Sequence, residues 1–435
     1  MSDIQIAFTA IVILLLLLAV RVPIGVALGS VSIIGIAIVK SPRTALGSLG
    51  SMPYDFAAHW TLSAVPMFLL MGAIAYHSGL THTLYRGARL WLSFLPGGLA
   101  VATNFASAGF AAASGSSLAT AAAMGRLAIP EMLKLGYDKA LTTGVVAAAG
   151  TLGSLIPPSI LMVLYGWFTE QPISKLLIAG ILPGLLTAAV YTVMIVARCK
   201  LNPSLAPKVE GKVTWQEKFS VLREIWPLPL LILGVIGGIY GGVVTPTEAG
   251  AFGASLSALI ALIQGKLSWT VIKNSVLEAM NSTASIFFVA IGAVMLSRFL
   301  AFCGMPAFMG GLIEDWALDP LMLVIGTSLI YLILGMFLDP IGLMLLTLPI
   351  LLPMFEALDL DLIWLGVLVI KYLEIGLLTP PVGMNAYIIK GVVGDQVGLT
   401  TIFRGLGWFL VCELLIVVLL IAYPSISTYL PSLME

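Results

Sequence analysis

Gly153-Ser154-Leu155-Ile156-Pro157-Pro158 is the stretch on which the architecture turns, because it returns as Gly376-Leu377-Leu378-Thr379-Pro380-Pro381. The offset (376 − 153 = 223) is shared by flanking landmarks: Pro23, Pro130, Asp138 and Gly184 recur as Pro246, Pro353, Asp361 and Gly407. Two adjacent prolines remove two backbone donors and free carbonyls on the preceding turn. In a bilayer each unpaired polar group is costly, so a break made twice at one spacing needs a partner to satisfy it. One such motif is as readily a kink in a packed helix. Two at a constant offset, each after a polar hairpin, point to a binding site. A hydrophobic chain duplicated in this way implies a membrane carrier built from two structural repeats around a site near the bilayer midplane.

Composition agrees. The 435 residues are 60% hydrophobic and 10% charged, against roughly 25% charged in soluble domains, with mean hydropathy +1.08. Ile4–Val20, Leu228–Val244 and Gly405–Tyr423 are each long enough to cross a hydrocarbon core of ~30 Å. Ile11–Ala19 has no basic residue before it and Arg21 after it, the reverse of a signal peptide's charge order, so it reads as a retained span. A net charge of +0 without a basic tract gives no reason to expect nucleic acid. Cys199, Cys303 and Cys412 are scattered, which suits buried small hydrophobes better than a disulfide framework or metal cluster.

Arg198–Arg223 is the one hydrophilic stretch that reads as a true loop; Arg198, Lys200, Lys208, Lys212, Lys218 and Arg223 outnumber Glu210 and Glu217. The positive-inside rule makes this linker cytoplasmic. Five crossings per half then put both termini outside, where Met1–Asp3 and Pro424–Glu435 carry no Lys or Arg. The expected spans are 4–20, 23–40, 60–80, 140–168 and 175–197, then 225–243, 247–264, 276–300, 362–390 and 405–423. Lys40 and Arg43 fall on the outer side, against the rule. Segments near 43–57, 82–95, 266–275 and 310–319 mix aromatic and charged residues and suit helices lying along the interface.

Residues 97–130 and 320–353 are too long for one span and are broken midway, by Ser114-Gly115-Ser116-Ser117 and by Gly335-Met336-Phe337-Leu338-Asp339-Pro340. Both read as re-entrant hairpins with polar tips deep in the membrane, tolerated only where protein or a wet cavity receives them. The small residues Ala111–Ala113 and Ala119–Ala123 suit close packing; the hydroxyls of Ser114, Ser116, Ser117 and Thr120 suit a site. Asp339, aligned with Ser116, is the sharpest candidate, since a carboxylate at membrane depth marks an ion or substrate path by default. Na⁺ is a fitting partner for freed carbonyls and hydroxyls, and half-helix N-termini at the breaks attract a carboxylate. Glu248 in Thr245-Pro246-Thr247-Glu248 reads as part of a helix cap. Lys371 and Glu374, three apart, are placed to pair with each other or to relay a proton. Asn385 lies one turn beyond the second Pro-Pro, within reach of the cavity. His59, His77 and His82 are isolated and read as interfacial; Arg298 is the outside candidate for meeting an anion. No Walker loop, His-Glu-x-x-His or Gly-x-Ser-x-Gly is present, so neither nucleotide drive nor hydrolysis is indicated.

Ser114-Gly115-Ser116, Ile129-Pro130-Glu131-Met132 with Gly136-Tyr137-Asp138, Pro157-Pro158-Ser159-Ile160, Pro246-Thr247-Glu248-Ala249 and Thr379-Pro380-Pro381-Val382-Gly383 together resemble the large membrane subunit of tripartite ATP-independent periplasmic (TRAP) transporters. The likeness runs from about Pro23 to the last span. It implies an all-α polytopic membrane protein of two inverted-topology repeats, about ten spans plus two re-entrant hairpins, working as an elevator. The scaffold would be 1–96 and 225–319, the moving block 97–199 and 320–435, with 200–224 as the cytoplasmic linker. It further implies Na⁺-driven import of a small organic acid, such as a dicarboxylate or sialic acid, through the bacterial inner membrane. The expected partners are a periplasmic binding protein and a separate four-helix membrane subunit. Two or more Na⁺ ions are expected where tips meet breaks: at Ser114, Ser116, Gly153 and Pro157, and at Gly335, Asp339, Gly376 and Thr379. Substrate contacts are expected from Ser114, Gly115, Ser116, Ser117, Pro158, Pro381 and Asn385. The rival reading is a stand-alone proton-coupled carrier or exchanger titrating Asp339 or Glu374. A membrane enzyme would group several ionisable residues at one depth, and these are scattered.

Overall fold

The computed structural model describes residues 2–207, 214–316 and 319–434, over which the chain is helical and without a strand. Met1, Lys208, Glu210, Lys212, Glu435 and the end of the expected arm at 317–318 lie outside these residues. In the first half come α1 (Asp3–Ala19), α2 (Ile24–Val39), α3 (Pro42–Ala57), α4 (Ala64–His77) and α5 (Leu80–Leu92), then the paired helices α6 (Gly98–Ser114) and α7 (Ser117–Lys134). Next, α8 (Lys139–Gly150) and α9 (Ile160–Phe168) flank the first Pro-Pro, followed by α10 (Ile173–Ala179), α11 (Ile181–Leu201) and the connecting α12 (Trp215–Ile225). The second half holds α13 (Pro227–Tyr240), α14 (Pro246–Ile263), α15 (Trp269–Phe302) and α16 (Met305–Trp316), then the pair α17 (Pro320–Gly335) and α18 (Pro340–Ala357). It closes with α19 (Leu362–Leu378), α20 (Met384–Val393), α21 (Leu399–Ala422) and α22 (Ser425–Ser432).

Helix starts follow the sequence offset: α7 and α18 begin at 117 and 340, α8 and α19 at 139 and 362. The caps explain why. Ser116 Oγ accepts from Ala119 N, and Asp339 Oδ2 from Gly342 N at 2.9 Å; Asp138 and Asp361 likewise cap α8 and α19. A side-chain oxygen at this position satisfies one of the unpaired N–H groups of the first turn. Thr245 and Glu248 form a reciprocal capping box on α14, the structural role expected of Glu248.

Two expectations change. The interfacial arm expected at 266–275 is not a separate element, because α15 runs unbroken over 34 residues. Trp269–Phe302 is one helix, whereas the corresponding part of the first half is broken between α3 and α4 by a 3₁₀ turn at Trp60–Ser63. At 1.5 Å per residue α15 is about 50 Å long and overshoots a ~30 Å hydrocarbon core. The linker is not all loop either: α12 is closed by a Thr214–Glu217 capping box and packs on α5 through Arg86–Glu224 (2.9 Å) and Trp91 Nε1 to the Lys218 carbonyl (3.2 Å). By length and composition alone, six single helices among the described residues could span, or seven with the bent pair α12–α13. That count includes α18, read from sequence as a hairpin arm, and omits the short α1 and α2 and the helices flanking the Pro-Pro breaks.

Packing falls into two sets. α15 lies against α2 and α4, and α4 against α14; separately, α8 lies against α7 and α21, and α19 against α17. α6 on α4 and α5, and α18 on α15 and α16, join the sets. α8 and α19 are buried almost end to end, while Val12, Leu16, Ile34, Ile38, Leu233, Ile263 and Val418 are exposed. An apolar skin over a tightly packed interior, with the polar groups confined inside, is the arrangement that lipid requires. Cys199, Cys303 and Cys412 are buried thiols.

Candidate functional site

Each polar tip docks on its own Pro-Pro break, backbone against backbone. α6 ends at Gly115 in the left-handed conformation (φ 63°), where a Cβ would stand 2.5 Å from the Pro158 carbonyl oxygen. Ile160 N donates to the Gly115 carbonyl at 3.3 Å. One turn away, a Cβ on Gly153 would stand 2.6 Å from the Ser116 carbonyl. In the second half a Cβ on Gly376 would stand 2.7 Å from Gly335 Cα and 2.9 Å from its carbonyl oxygen. Both contacts need glycine because backbone cannot give way as a side-chain end can. The Pro157-Pro158 and Pro380-Pro381 peptide bonds are both cis.

Oxygen dominates these junctions. Ser114 Oγ meets Thr120 Oγ1 at 2.8 Å, Ser117 Oγ meets Ser154 Oγ at 2.7 Å, and Thr379 Oγ1 donates to the Ile375 carbonyl at 2.7 Å. Among the described residues no three His, Cys, Asp or Glu side chains converge. Hydroxyls, carbonyls and single carboxylates are ligands for hard cations rather than for thiolate- or imidazole-seeking metals.

The tips share a cavity of about 370 Å³. Gly115, Ser116, Ser117 and Ser154 form one wall, Asp339 and Glu374 a second, and Asn281, Ser282 and Ser285 of α15 face them. No Lys, Arg or His is among the described residues lining it. A second cavity of about 280 Å³ shares Leu69, Ser116 and Ser282 with the first and holds Ser114, Tyr76 and Arg126, whose Nη1 donates to Tyr76 OH at 3.1 Å. His77, expected to be isolated, meets Glu278 there at 2.7 Å. A third, of about 950 Å³, is lined by Trp60, Trp167, Gln171, Thr247 and Arg298.

Several expected site residues are elsewhere. Asn385 is fully buried and donates to the Ala147 carbonyl at 3.0 Å, away from the cavity. Pro158 touches the tip through its carbonyl but does not line the cavity, and Pro381 is solvent- or lipid-exposed. Gly153, Gly335 and Gly376 sit at the tip–break contacts, and neither they nor Pro157 and Thr379 are among the described residues lining the cavity. Lys371 and Glu374 do not pair. Lys371 Nζ turns to Glu413 at 2.5 Å and Thr187 at 3.0 Å, and Tyr191 OH also donates to Glu413. Glu374 instead accepts from Ser117 at 2.7 Å. Glu413 and the α15 polar run were absent from the sequence-derived site; Asn281-Ser282-Thr283 and Ser285, inside an otherwise apolar span, were the legible signal for the latter.

Residues 11–426 match the family model described as the DctM component of the tripartite ATP-independent periplasmic transporter. The chain is 37% identical over 389 residues to the C4-dicarboxylate TRAP transporter large permease protein DctM of Pseudomonas aeruginosa, covering 88% of this chain and 89% of that one. It is 32% identical to the sialic acid TRAP transporter large permease protein SiaM of Vibrio cholerae, covering 86% and 87%. Among solved structures, the YdaH transporter of Alcanivorax borkumensis, whose topology is described as unusual, aligns with a TM-score of 0.59 at 15% identity, over 89% of this chain and 90% of that one.

Proposed function

The chain belongs to the DctM component family of tripartite ATP-independent periplasmic transporters, and as a large permease of that family we propose that it carries a small organic acid inward, driven by a Na⁺ gradient. One observation carries the reading: the cavity between the tips offers hydroxyls, an amide and two carboxylates, with no basic side chain on its described wall. A carboxylate substrate cannot enter beside Asp339 and Glu374 unless cations accompany it, because like charges close together in low dielectric repel strongly. Na⁺ at the two tip–break junctions supplies that charge. The first ion is held by Ser114, Ser116, Gly153 and Pro157, the second by Gly335, Asp339, Gly376 and Thr379. Ser117, Gly115 and Ser116 meet the substrate.

Two inverted repeats, about ten spans and two re-entrant hairpins make up the working carrier. Residues 1–96 and 225–319 stand still; 97–199 and 320–435 slide past them with the cargo. The polar face of α15, on the static side, and the tips, on the moving side, enclose the cavity between them, which suits this division. The carrier sits in the bacterial inner membrane with its termini periplasmic and its linker cytoplasmic. It works with a small four-helix subunit and takes substrate from a periplasmic binding protein.

Two tests follow. Proteoliposomes holding this chain and its small subunit should take up acid only when the loaded binding protein is outside. Uptake at an equal rate with free acid alone would remove the binding protein from the mechanism. For the sliding motion, Tyr76 and Arg126 touch across the static and moving parts. A short cross-linker joining the Tyr76→Cys and Arg126→Cys variant should stop uptake, and cleaving the link should restore it. Full uptake by the linked protein would contradict the motion.

A further inference from the structure

The space at the tips continues past them. The 370 Å³ cavity shares Leu69, Ser116 and Ser282 with the 280 Å³ cavity, which follows α7 from Ser116 past Ala119, Ala122 and Ala123 to Arg126. α5 packs on the linker helix α12 and leads into α6, so the far ends of α6 and α7 lie on the linker side, cytoplasmic in the proposed orientation. Charge is uneven along this path. Asp339 and Glu374 belong to the first cavity, whose described wall has no basic side chain. The second holds one carboxylate, Glu278, already engaged by His77 at 2.7 Å. Arg126 forms no ion pair with any described residue, and its Nη1 donates to Tyr76 OH at 3.1 Å. Because that oxygen accepts, the Tyr76 hydrogen stays free to donate, as do the other guanidinium N–H groups. Helix side chains lean toward the helix N-terminus, which for Arg126 is the direction of the tip, and the three alanines between put little bulk in the way.

We propose that Arg126 and Tyr76 form a carboxylate-binding subsite on the exit path, beyond the tips and open to the cytoplasmic side. The paired N–H groups of a guanidinium match the two oxygens of a carboxylate, and the Tyr76 hydroxyl adds a donor. Arg126 rides on the proposed moving block and Tyr76 stands on the static part, so the subsite is complete only with the block placed as it is here. An acid leaving the tips then trades the charge of the ions for that of the arginine, rather than crossing a low-dielectric stretch uncompensated. The subsite deepens the reading of Na⁺-driven import and rests on it.

The test uses the complete transporter in proteoliposomes, with loaded binding protein outside. Only molecules whose periplasmic face points outward then work, so acid sealed inside meets the cytoplasmic face alone. The acid is succinate or sialic acid, whichever the vesicles accumulate. The readout is the internal concentration giving half of its effect on the initial uptake rate, set beside the external half-saturating concentration of loaded binding protein. Arg126→Gln should raise the internal value about tenfold or more, the worth of a charge-assisted hydrogen bond, and move the external value far less. Arg126→Lys, which keeps the charge without the fork, should fall between Arg126→Gln and the wild type. Tyr76→Phe should raise the internal value a few-fold, and it serves if the arginine variants do not fold. An unchanged internal value in Arg126→Gln or Tyr76→Phe would overturn the subsite, as would equal shifts inside and outside. So would a wild type indifferent to internal acid, or internal sulfate acting as well as the acid, because Arg126 would then be a contact for any anion. A wild type that accumulates acid without Na⁺ would instead remove the underlying reading, and shows itself before any variant is made.

Discussion

Lys371→Met should destabilise this protein by about 3–5 kcal/mol, the usual cost of removing one partner from a buried ion pair. The substitution leaves Glu413 with no exposed surface and only the Tyr191 hydroxyl to hold it. Thr187 Oγ1 loses its contact as well, so α19 is no longer tied to α11 and α21 by charge. The double variant Lys371→Met with Glu413→Leu should recover most of the loss, because replacing both charges by apolar groups of similar volume is often neutral. Thermal unfolding of the purified protein, compared across the wild type, both single variants and the double, checks this. A double variant as unstable as the sum of the singles would mean that the pair is not coupled as described.

The second large effect is on transport. Gly376→Ala puts a methyl group 2.7 Å from Gly335 Cα and 2.9 Å from its carbonyl, and Gly153→Ala puts one 2.6 Å from the Ser116 carbonyl. Neither neighbour is a flexible side-chain end, so the tip must lift from its break. Overpacking of this kind costs ~1–3 kcal/mol, which corresponds to roughly a 5- to 150-fold loss in occupancy of the docked tip. Uptake at limiting Na⁺ should fall within that range for both variants, with protein levels in the membrane unchanged. Gly407→Ala, where a Cβ meets nothing within 4 Å, is the control. Wild-type uptake by Gly376→Ala would show that the second tip does not need its close seat.

Much of this arrangement was legible because it is written twice. The repeated Gly-x-x-x-Pro-Pro located both breaks, and Ser116 and Asp339, one offset apart, occupy equivalent caps. What the repeat could not convey was where the halves differ. The first half is broken at Trp60–Ser63 where α15 runs on unbroken, a difference that the offset alone does not carry. The helical part of the linker was also readable, since Thr214-x-x-Glu217 is a capping box. The Lys371–Glu413 pair was not, because 42 residues and two helix breaks separate its members and only the packing of α19 on α21 brings them together. Spacing along one helix suggested Glu374 as the partner of Lys371. In the fold the two side chains leave the helix toward different neighbours, Glu374 toward the first tip and Lys371 toward α11 and α21.

Na⁺-driven uptake is the claim on which the rest depends. The direct measurement loads proteoliposomes of the two membrane subunits with K⁺ buffer and supplies binding protein charged with a labelled C4-dicarboxylate or sialic acid outside. The external salt is then either Na⁺ or K⁺ at equal ionic strength. Accumulation above the external concentration in Na⁺, and none in K⁺, is the expected result. Equal accumulation in K⁺, or accumulation that follows a pH gradient with Na⁺ absent, would contradict it.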